Sequence, residues 1–490
     1  MTALPLFAET PEDSADRRPP PALHPLAWRH GRPVPPRRFL AEVERLAAAL
    51  PPGQHLLNLC GDRYRFAVAF CAAVLAGRIS LLPPNHSAEL IARLQRLYGD
   101  VFAICDDATV APAGTRLFRY PAGIDDTANG GDAANGSAAN DSDTAGNDAP
   151  LGAGAIPRIA AGAVVAHVFT SGSTGLPTAH RKTWGRLVHN VQSEALALGL
   201  TPGSATTLVA TVPPQHMYGF ESSVLLALHN RIAFSGASPF YPADVVATLA
   251  AVPGERVLVT TPFHLRTLLA AELPLPPVRL VLCATAPLAP ELARAAEQRF
   301  GAPLLEIYGC TEAGQLATRR PVADERWQTM RGVRITQRRS ADGAEQWIAD
   351  GGHVEVPTPL SDLLELESPQ RFRLLGRGAD MVNVAGKRTS LAHLNQLLCG
   401  LPGVADGAFF NPEPAVGRDV ERLIAFFVSA TLSERDVLAA LRERTDPVFL
   451  PRPLHRVERL PRSASGKLPQ AALAELAMRL ATERAARRRR

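Results

Sequence analysis

The sequence predicts an α/β protein, with a large N-terminal part of layered, partly parallel sheets and a smaller α+β unit at its C-terminal end. Three observations predict it. The strand-like run from Val278 to Cys283 is followed by a helical stretch from Pro290 to Phe300 and a second strand-like run from Pro303 to Tyr308. That β-α-β order calls for parallel neighbours. An earlier apolar run, His55 to Cys60, passes through Gly61 and Asp62 into a long apolar helix ending in Gly77, one strand–helix unit of a layered sheet. After Arg377 the composition shifts. A strand candidate, Leu423 to Val428, then precedes a helix capped by Ser433 with Asp436 three residues on, running to Arg444.

At 490 residues the chain is too long for one hydrophobic core, so at least two domains are expected. We place them at residues 1–377 and 378–490, the latter with a basic tail. Residues 125–154, almost wholly Gly, Ala, Asn, Asp, Ser and Thr, cannot bury enough apolar surface to offset their ordering entropy and read as a disordered surface insertion. Apolar content of 46% is ordinary for a globular protein, and no apolar run approaches the ~20 residues of a membrane span. Acidic residues and prolines near the N-terminus, where a signal peptide needs a basic start, lead to the expectation of a cytoplasmic protein.

Six cysteines without C-x-x-C pairing read as reduced core residues, neither a disulfide framework nor a zinc site. Much of the net charge of +5 sits at Arg484 and Arg487 to Arg490. That tail reads as a solvated helix end or as a docking patch for an acidic carrier protein. No aromatic-basic motif supports nucleic-acid binding.

Four motifs carry the chemistry. The apolar run Val164 to Phe169 opens into Thr170-Ser171-Gly172-Ser173-Thr174-Gly175, with a proline at 177. Glycines let the backbone approach an anion, and the hydroxyls add donors without bulk, so the loop suits phosphate oxygens. The same composition also serves an ordinary solvated loop. It is not the NTPase P-loop, which needs a lysine straight after its second glycine. The second motif is Tyr308-Gly309-Cys310-Thr311-Glu312, at the carboxyl end of a strand, where ligands bind in open α/β sheets. Its hydroxyl suits a phosphate oxygen and its carboxylate suits Mg²⁺, although a plain glycine turn with a surface acid fits too. Third, Asp362 stands fifteen positions before Arg377. A carboxylate suits a ribose diol and an arginine suits a phosphate. Fourth, a flexible loop from Leu460 presents Lys467, which alone reads as a surface charge.

Together and in this order the four motifs resemble those of the adenylate-forming superfamily, which includes acyl-CoA synthetases, luciferases and peptide-synthetase adenylation domains. The resemblance covers roughly residues 40–475 and implies a large N-terminal domain, a small mobile C-terminal domain and ATP-dependent acyl-adenylate formation. It further implies that Thr170 to Gly175 bind phosphate and that Ala284, Thr285 and Ala286 lie beside adenine, on which Tyr308 stacks next to Gly309. Thr311 then meets the α-phosphate, Glu312 holds Mg²⁺ and Asp362 binds ribose. Arg377 stands at the domain junction, and the turn at Gly386 opens the small domain. Lys467 bridges the substrate carboxylate and the α-phosphate. Three positions depart from the pattern: Thr178 replaces the lysine after the loop proline, leaving Lys182 as the one that could reach back, and Ala379 and Pro469 replace charged residues.

Within Pro213 to Glu221 the resemblance makes His216 a gate near the substrate carboxylate, with Met217 and Tyr218 facing the acyl group; half-buried packing residues are the plainer reading. An apolar Met217, where amino-acid-activating domains place an aspartate, points to an aryl or aliphatic acid, while Glu221 keeps an amino-acid substrate open. The implied function is activation of a small carboxylic acid and transfer to the thiol of coenzyme A or of a carrier-protein phosphopantetheine. The segment is also similar to stand-alone ligases of aryl-polyene and polyketide assembly. A stand-alone amino-acid adenylation domain and a degenerate nucleotide-binding homologue are the alternatives.

Overall fold

The computed structural model describes residues 2–8, 25–83, 86–106, 114–121, 155–171, 177–339, 345–377, 381–384, 387–412, 422–462 and 468–488. The expected insertion at 125–154, Gly172 to Gly175, Ala379, Gly386 and Lys467 lie outside these. The chain forms two compact units: residues 1–238 with 251–256, and 239–250 with 257–490.

The first unit holds a six-stranded sheet in the order Pro177–Thr183, Val164–Ser171, Ile79–Leu82, His55–Asn58, Val101–Cys105 and Arg116–Arg119. Its members pair in parallel, except Pro177–Thr183, which runs antiparallel at one edge. The predicted strand–helix unit is present as His55–Asn58 followed by the helix Arg63–Leu75. The helix starts earlier than its apolar run because the Asp62 side chain caps it by accepting from the Arg65 amide. Gly77, at φ +67, follows its end. Nearly all of this helix is buried, including Phe66, Phe70, Cys71 and Val74, so it belongs to the interior rather than to an amphipathic surface.

The second unit contains the predicted β-α-β pattern. Strand Leu280–Cys283 is parallel to Glu255–Thr260 on one side and to Leu304–Cys310 on the other. The connecting helix spans Pro290–Phe300, with proline at its first turn and left-handed Gly301 closing it. Beyond Cys310 the sheet turns antiparallel, through Gly314–Arg319, Trp327–Thr329, Arg371–Arg377 and Asp362–Ser368.

The partly parallel α/β architecture expected from the sequence is therefore present. Within the second unit the segment from Val382 onward has its own core, in which Leu394, Leu398, Phe409, Phe427, Val437 and Leu441 pack together. The late strand is Ile424–Val428, and the following helix, Glu434–Arg442, carries the anticipated capping box of Ser433 and Asp436. That helix ends two residues before Arg444, whose amide bonds to the Leu441 carbonyl in a closing turn. A long helix, Gln470–Arg488, follows. All six cysteines are free thiols, four of them buried. No helix among the described residues is long and apolar enough to cross a membrane.

Candidate functional site

On the nucleotide side, strand Leu304–Cys310 continues past the expected turn and returns at once as Gly314–Arg319, so Thr311, Glu312 and Ala313 form the tip of a tight hairpin. A side chain at Gly309 would run into the Gly314 carbonyl, which is why this position needs glycine. Thr311 and Glu312 are half-buried at the tip. One carboxylate beside a hydroxyl fits Mg²⁺, since this ion takes one or two carboxylates plus substrate phosphates. Among the described residues no group of three or more His, Cys, Asp or Glu forms a ready-made metal cage.

Tyr308 is buried on this hairpin. Its ring packs against Trp327 at 5.7 Å and Phe372 at 5.6 Å, and its hydroxyl donates to Asp362 Oδ2 at 2.8 Å. Asp362 is in turn the direct cross-strand partner of Arg377. Residues singled out from two motifs thus lie in one sheet, with the Tyr308 hydroxyl reaching Asp362 although two strands separate Leu304–Cys310 from Arg371–Arg377. Trp327 and Phe372, which brace the tyrosine, were not anticipated. Their signal in the sequence is no more than an aromatic in each of two strand-like runs.

The loop expected beside adenine leaves strand Leu280–Cys283 with Thr285 at φ +84. A β-branched residue in that region is a strained outlier, at a cost of about 1–3 kcal/mol, and such strain concentrates at ligand sites. Glu306 ties the loop to the hairpin. It is 3% exposed, accepts from Arg319 Nη2 at 2.6 Å and meets the Leu288 amide. Burial raises its carboxyl above the usual range, against the pull of Arg319.

The segment expected to face the acyl group belongs to the first unit. Between Val212 and Phe220 the chain makes a closed turn, in which a Cβ at Gly219 would collide with the Pro213 carbonyl. His216 caps a short helix, its Nδ1 accepting from the Tyr218 amide at 3.3 Å, so a neutral ring carries its proton on Nε2. His216 and Met217 are half-buried, and Tyr218 is buried.

Arg63, wholly buried, locks this turn. Its guanidinium donates to the carbonyls of Ala210 and Val212, both at 2.9 Å, and to Ser223 Oγ at 2.7 Å. Ser223 in turn donates to the Gly219 carbonyl, and Gln215 reaches the Cys60 carbonyl. Burial lowers the Arg63 pKa to about 10, which leaves it charged at neutral pH. Sequence reasoning missed Arg63. The available signal was a charged residue at the head of an otherwise buried helix.

Immediately after Gly219 the chain winds as a π-helix, Phe220–Leu225. Glu221, on this wide turn, is 2% exposed and accepts from Asn190 Nδ2, while the Lys182 charge acts on the same carboxyl. Glu221 is therefore engaged from within the protein, and its carboxyl is not free to anchor an α-ammonium group. Lys182 is 3% exposed. Thr178, in the family lysine's place, is exposed on the strand that pairs Thr178 with Thr170 and Pro177 with Ser171.

The loop at Thr285, the Tyr308–Asp362 hydrogen bond and the hairpin tip at Thr311 and Glu312 lie at positions that the motifs and the resemblance single out. The chain belongs to the family of AMP-binding enzymes, which matches residues 32–338, more than half of its length. It is 31% identical over 281 residues to a 4-coumarate–CoA ligase of Rhodobacter capsulatus, covering 56% of this chain and 66% of that protein. To the 4-coumarate–CoA ligase of Halorhodospira halophila it is 30% identical over 311 residues, covering 61% and 73%. The o-succinylbenzoate CoA synthetase from Bacillus subtilis, in complex with its acyl-adenylate intermediate, has the same fold, with a TM-score of 0.76 at 18% identity over 96% of this chain and 98% of that one.

Proposed function

We infer that this chain activates a carboxylic acid with ATP as an acyl-adenylate and passes the acyl group to a thiol. Family membership supports the reaction class, and the observation that carries it to particular residues is the Tyr308–Asp362 hydrogen bond beside Arg377. In the first step a carboxylate oxygen attacks the α-phosphorus of ATP, and pyrophosphate leaves. In the second a thiol sulfur attacks the acyl carbonyl, loses its proton and expels AMP.

Tyr308 offers its ring to adenine, Asp362 its carboxylate to the ribose, and the loop 170–175 its amides and hydroxyls to the phosphates. Thr311 and Lys467 meet the charge that grows on the α-phosphate, the largest electrostatic demand of the step. Glu312 would hold Mg²⁺, which supplies further positive charge there. His216, with its proton on Nε2, donates toward the substrate carboxylate. In this reading residues 378–490 are a separate mobile domain, which brings Lys467 in for the first step and withdraws it for the second.

An apolar Met217 and an engaged Glu221 favour an acid without an α-ammonium group, such as the aryl acids named for its relatives. The acceptor is coenzyme A or a carrier-protein phosphopantetheine, and the similarity to aryl-polyene and polyketide ligases makes the carrier protein the second arm of any assay.

Pyrophosphate release across aryl, fatty and amino acids, with each thiol, tests the reading. Lys467→Ala should lower adenylation by about 10²–10³-fold, the usual effect of removing one transition-state donor, and spare thioester formation from a supplied acyl-adenylate. A wild-type preference for an α-amino acid would overturn the substrate class. ATP binding with no pyrophosphate from any acid would show a degenerate homologue.

A further inference from the structure

The head of the helix Arg63–Leu75 and the turn before the π-helix are joined by side chains that reach in both directions. From the helix, the Arg63 guanidinium donates to the Ala210 and Val212 carbonyls, where the chain enters the turn. It also donates to Ser223 Oγ, which in turn donates to the Gly219 carbonyl. From the turn, Gln215 Nε2 donates to the Cys60 carbonyl. The loop that receives it is itself fixed, because Asp106 accepts from the amides of Gly61 at 3.1 Å and Asp62 at 2.8 Å. His216 lies within this clasp, between Gln215 and Gly219 in the chain.

We propose that Arg63 is a positioning residue for the acid substrate: acting through Ser223 and the turn, it sets where the His216 ring stands before the acid arrives. The proposal rests on the assignment of His216 to the acid given above.

Three features support it. All three oxygens that Arg63 meets are neutral, and its buried Nε has no partner among the described residues. A charge buried on such terms is costly, and apolar groups of similar volume are often at least as stable, so stability alone is a poor account of it. Ser223, the relay, stands on a π-helix, a rare geometry found mostly at functional sites. Lastly, the relay ends beside the imidazole. The His216 carbonyl accepts from the Phe220 amide at 2.8 Å, and His216 Nδ1 accepts from the Tyr218 amide at 3.3 Å. A Cβ at Gly219 would stand 2.2 Å from the Pro213 oxygen, so the two arms of the turn are in close contact and a displacement of Gly219 carries to His216.

The test is a double-mutant cycle between Ser223→Ala, which removes the relay hydroxyl, and His216→Gln, which removes the ring. Constants for the acid and for ATP are read by pyrophosphate release from the full chain. Ser223→Ala should lower kcat/KM for the acid about 10–100-fold, as displacing a positioned group by up to about 1 Å does. KM for ATP should stay within about twofold. In the His216→Gln background the same change should cost less than about threefold, because the group it positions is gone. An equal loss in both backgrounds, or an unchanged acid kcat/KM in Ser223→Ala, would overturn the proposal.

Two further variants separate positioning from folding. Arg63→Lys keeps a cation but loses the planar fork that spans three oxygens, so it should show the same acid-specific loss. Wild-type acid constants there would mean that charge alone suffices and would reject the role of Arg63. Leu94→Ala opens a cavity in a separate core cluster of the same unit and lowers stability, yet should leave acid kcat/KM within about twofold. A loss there matching that of Ser223→Ala would make the effect one of folding alone. Failure of the ligase reading shows separately, as no pyrophosphate from wild type with any acid. Failure of the acid-side assignment shows as unchanged acid constants in His216→Gln.

Discussion

Tyr308, Asp362 and Arg377 are held by backbone ladders, whereas His216, Met217 and Tyr218 are held by side chains that reach in from other elements. On the nucleotide side, the register of two antiparallel pairs places Asp362 opposite Arg377 and folds Gly309 against Gln315. On the acyl side the chain departs from regular structure. It is fixed by Arg63 on three oxygens and by the hydrogen bond of Asn190 to Glu221. A ladder fixes positions by repetition and tolerates loss of one contact. A turn held by a few buried charges is specific but depends on each of them.

The largest effect that would expose this difference is at Arg63. Arg63→Met removes one buried cation and leaves three acceptors without their donor, which should cost about 3–5 kcal/mol. Urea-dependent hydrogen exchange of residues 55–75 and 206–223 reads it. A loss below about 1 kcal/mol would show that the turn holds itself.

On the ladder side, Asp362→Ala should raise KM for ATP by roughly 10–100-fold, the worth of a hydrogen bond to a charged group, with the acid KM nearly unmoved. Equal changes in both constants would mean that the aspartate supports the fold of the site rather than the nucleotide.

A smaller, pH-dependent effect belongs to Glu221. Its folded pKa of about 7 lies above the ordinary 4.5. A carboxyl raised by folding contributes stability that is complete below its unfolded value and is lost as pH rises through the folded one. Wild type should therefore lose about 2 kcal/mol relative to Glu221→Gln between pH 5 and pH 8. A pH-independent difference between the two proteins across that range would show that the folded Glu221 does not titrate there.

The smallest effect is at Thr285. Glycine accepts φ +84 without strain, so Thr285→Gly should stabilise by about 1 kcal/mol after the entropic cost of glycine. It should also loosen the adenine-side loop and raise KM for ATP a few fold. A lower melting temperature would mean that the threonine side chain contributes more than its backbone conformation costs.

The same contrast governs what could be read in advance. The strand–helix unit at 55–75, the β-α-β pattern around 280–310 and the capped helix after Ser433 were legible, because burial of a regular element leaves its period and its caps in neighbouring residues. Tyr308, Glu312, Asp362 and Arg377 were legible as motifs. That Asp362 faces Arg377 follows from a hairpin between nearby segments. That Tyr308 bonds to Asp362, 54 residues away, does not. Glu221 left an amino-acid substrate open in the sequence, and the fold buries it and engages it with Asn190.

Local sequence thus determined which segments become strands and helices and where they stop, since each depends on spacing within a few turns of chain. Only the tertiary structure decided how the acyl-side turn is held. Arg63 meets Ser223 across 160 residues, and Lys182 comes to act on Glu221 through the return of its strand beside Val164–Ser171. Such partnerships depend on strand order, and no periodicity in the chain encodes them.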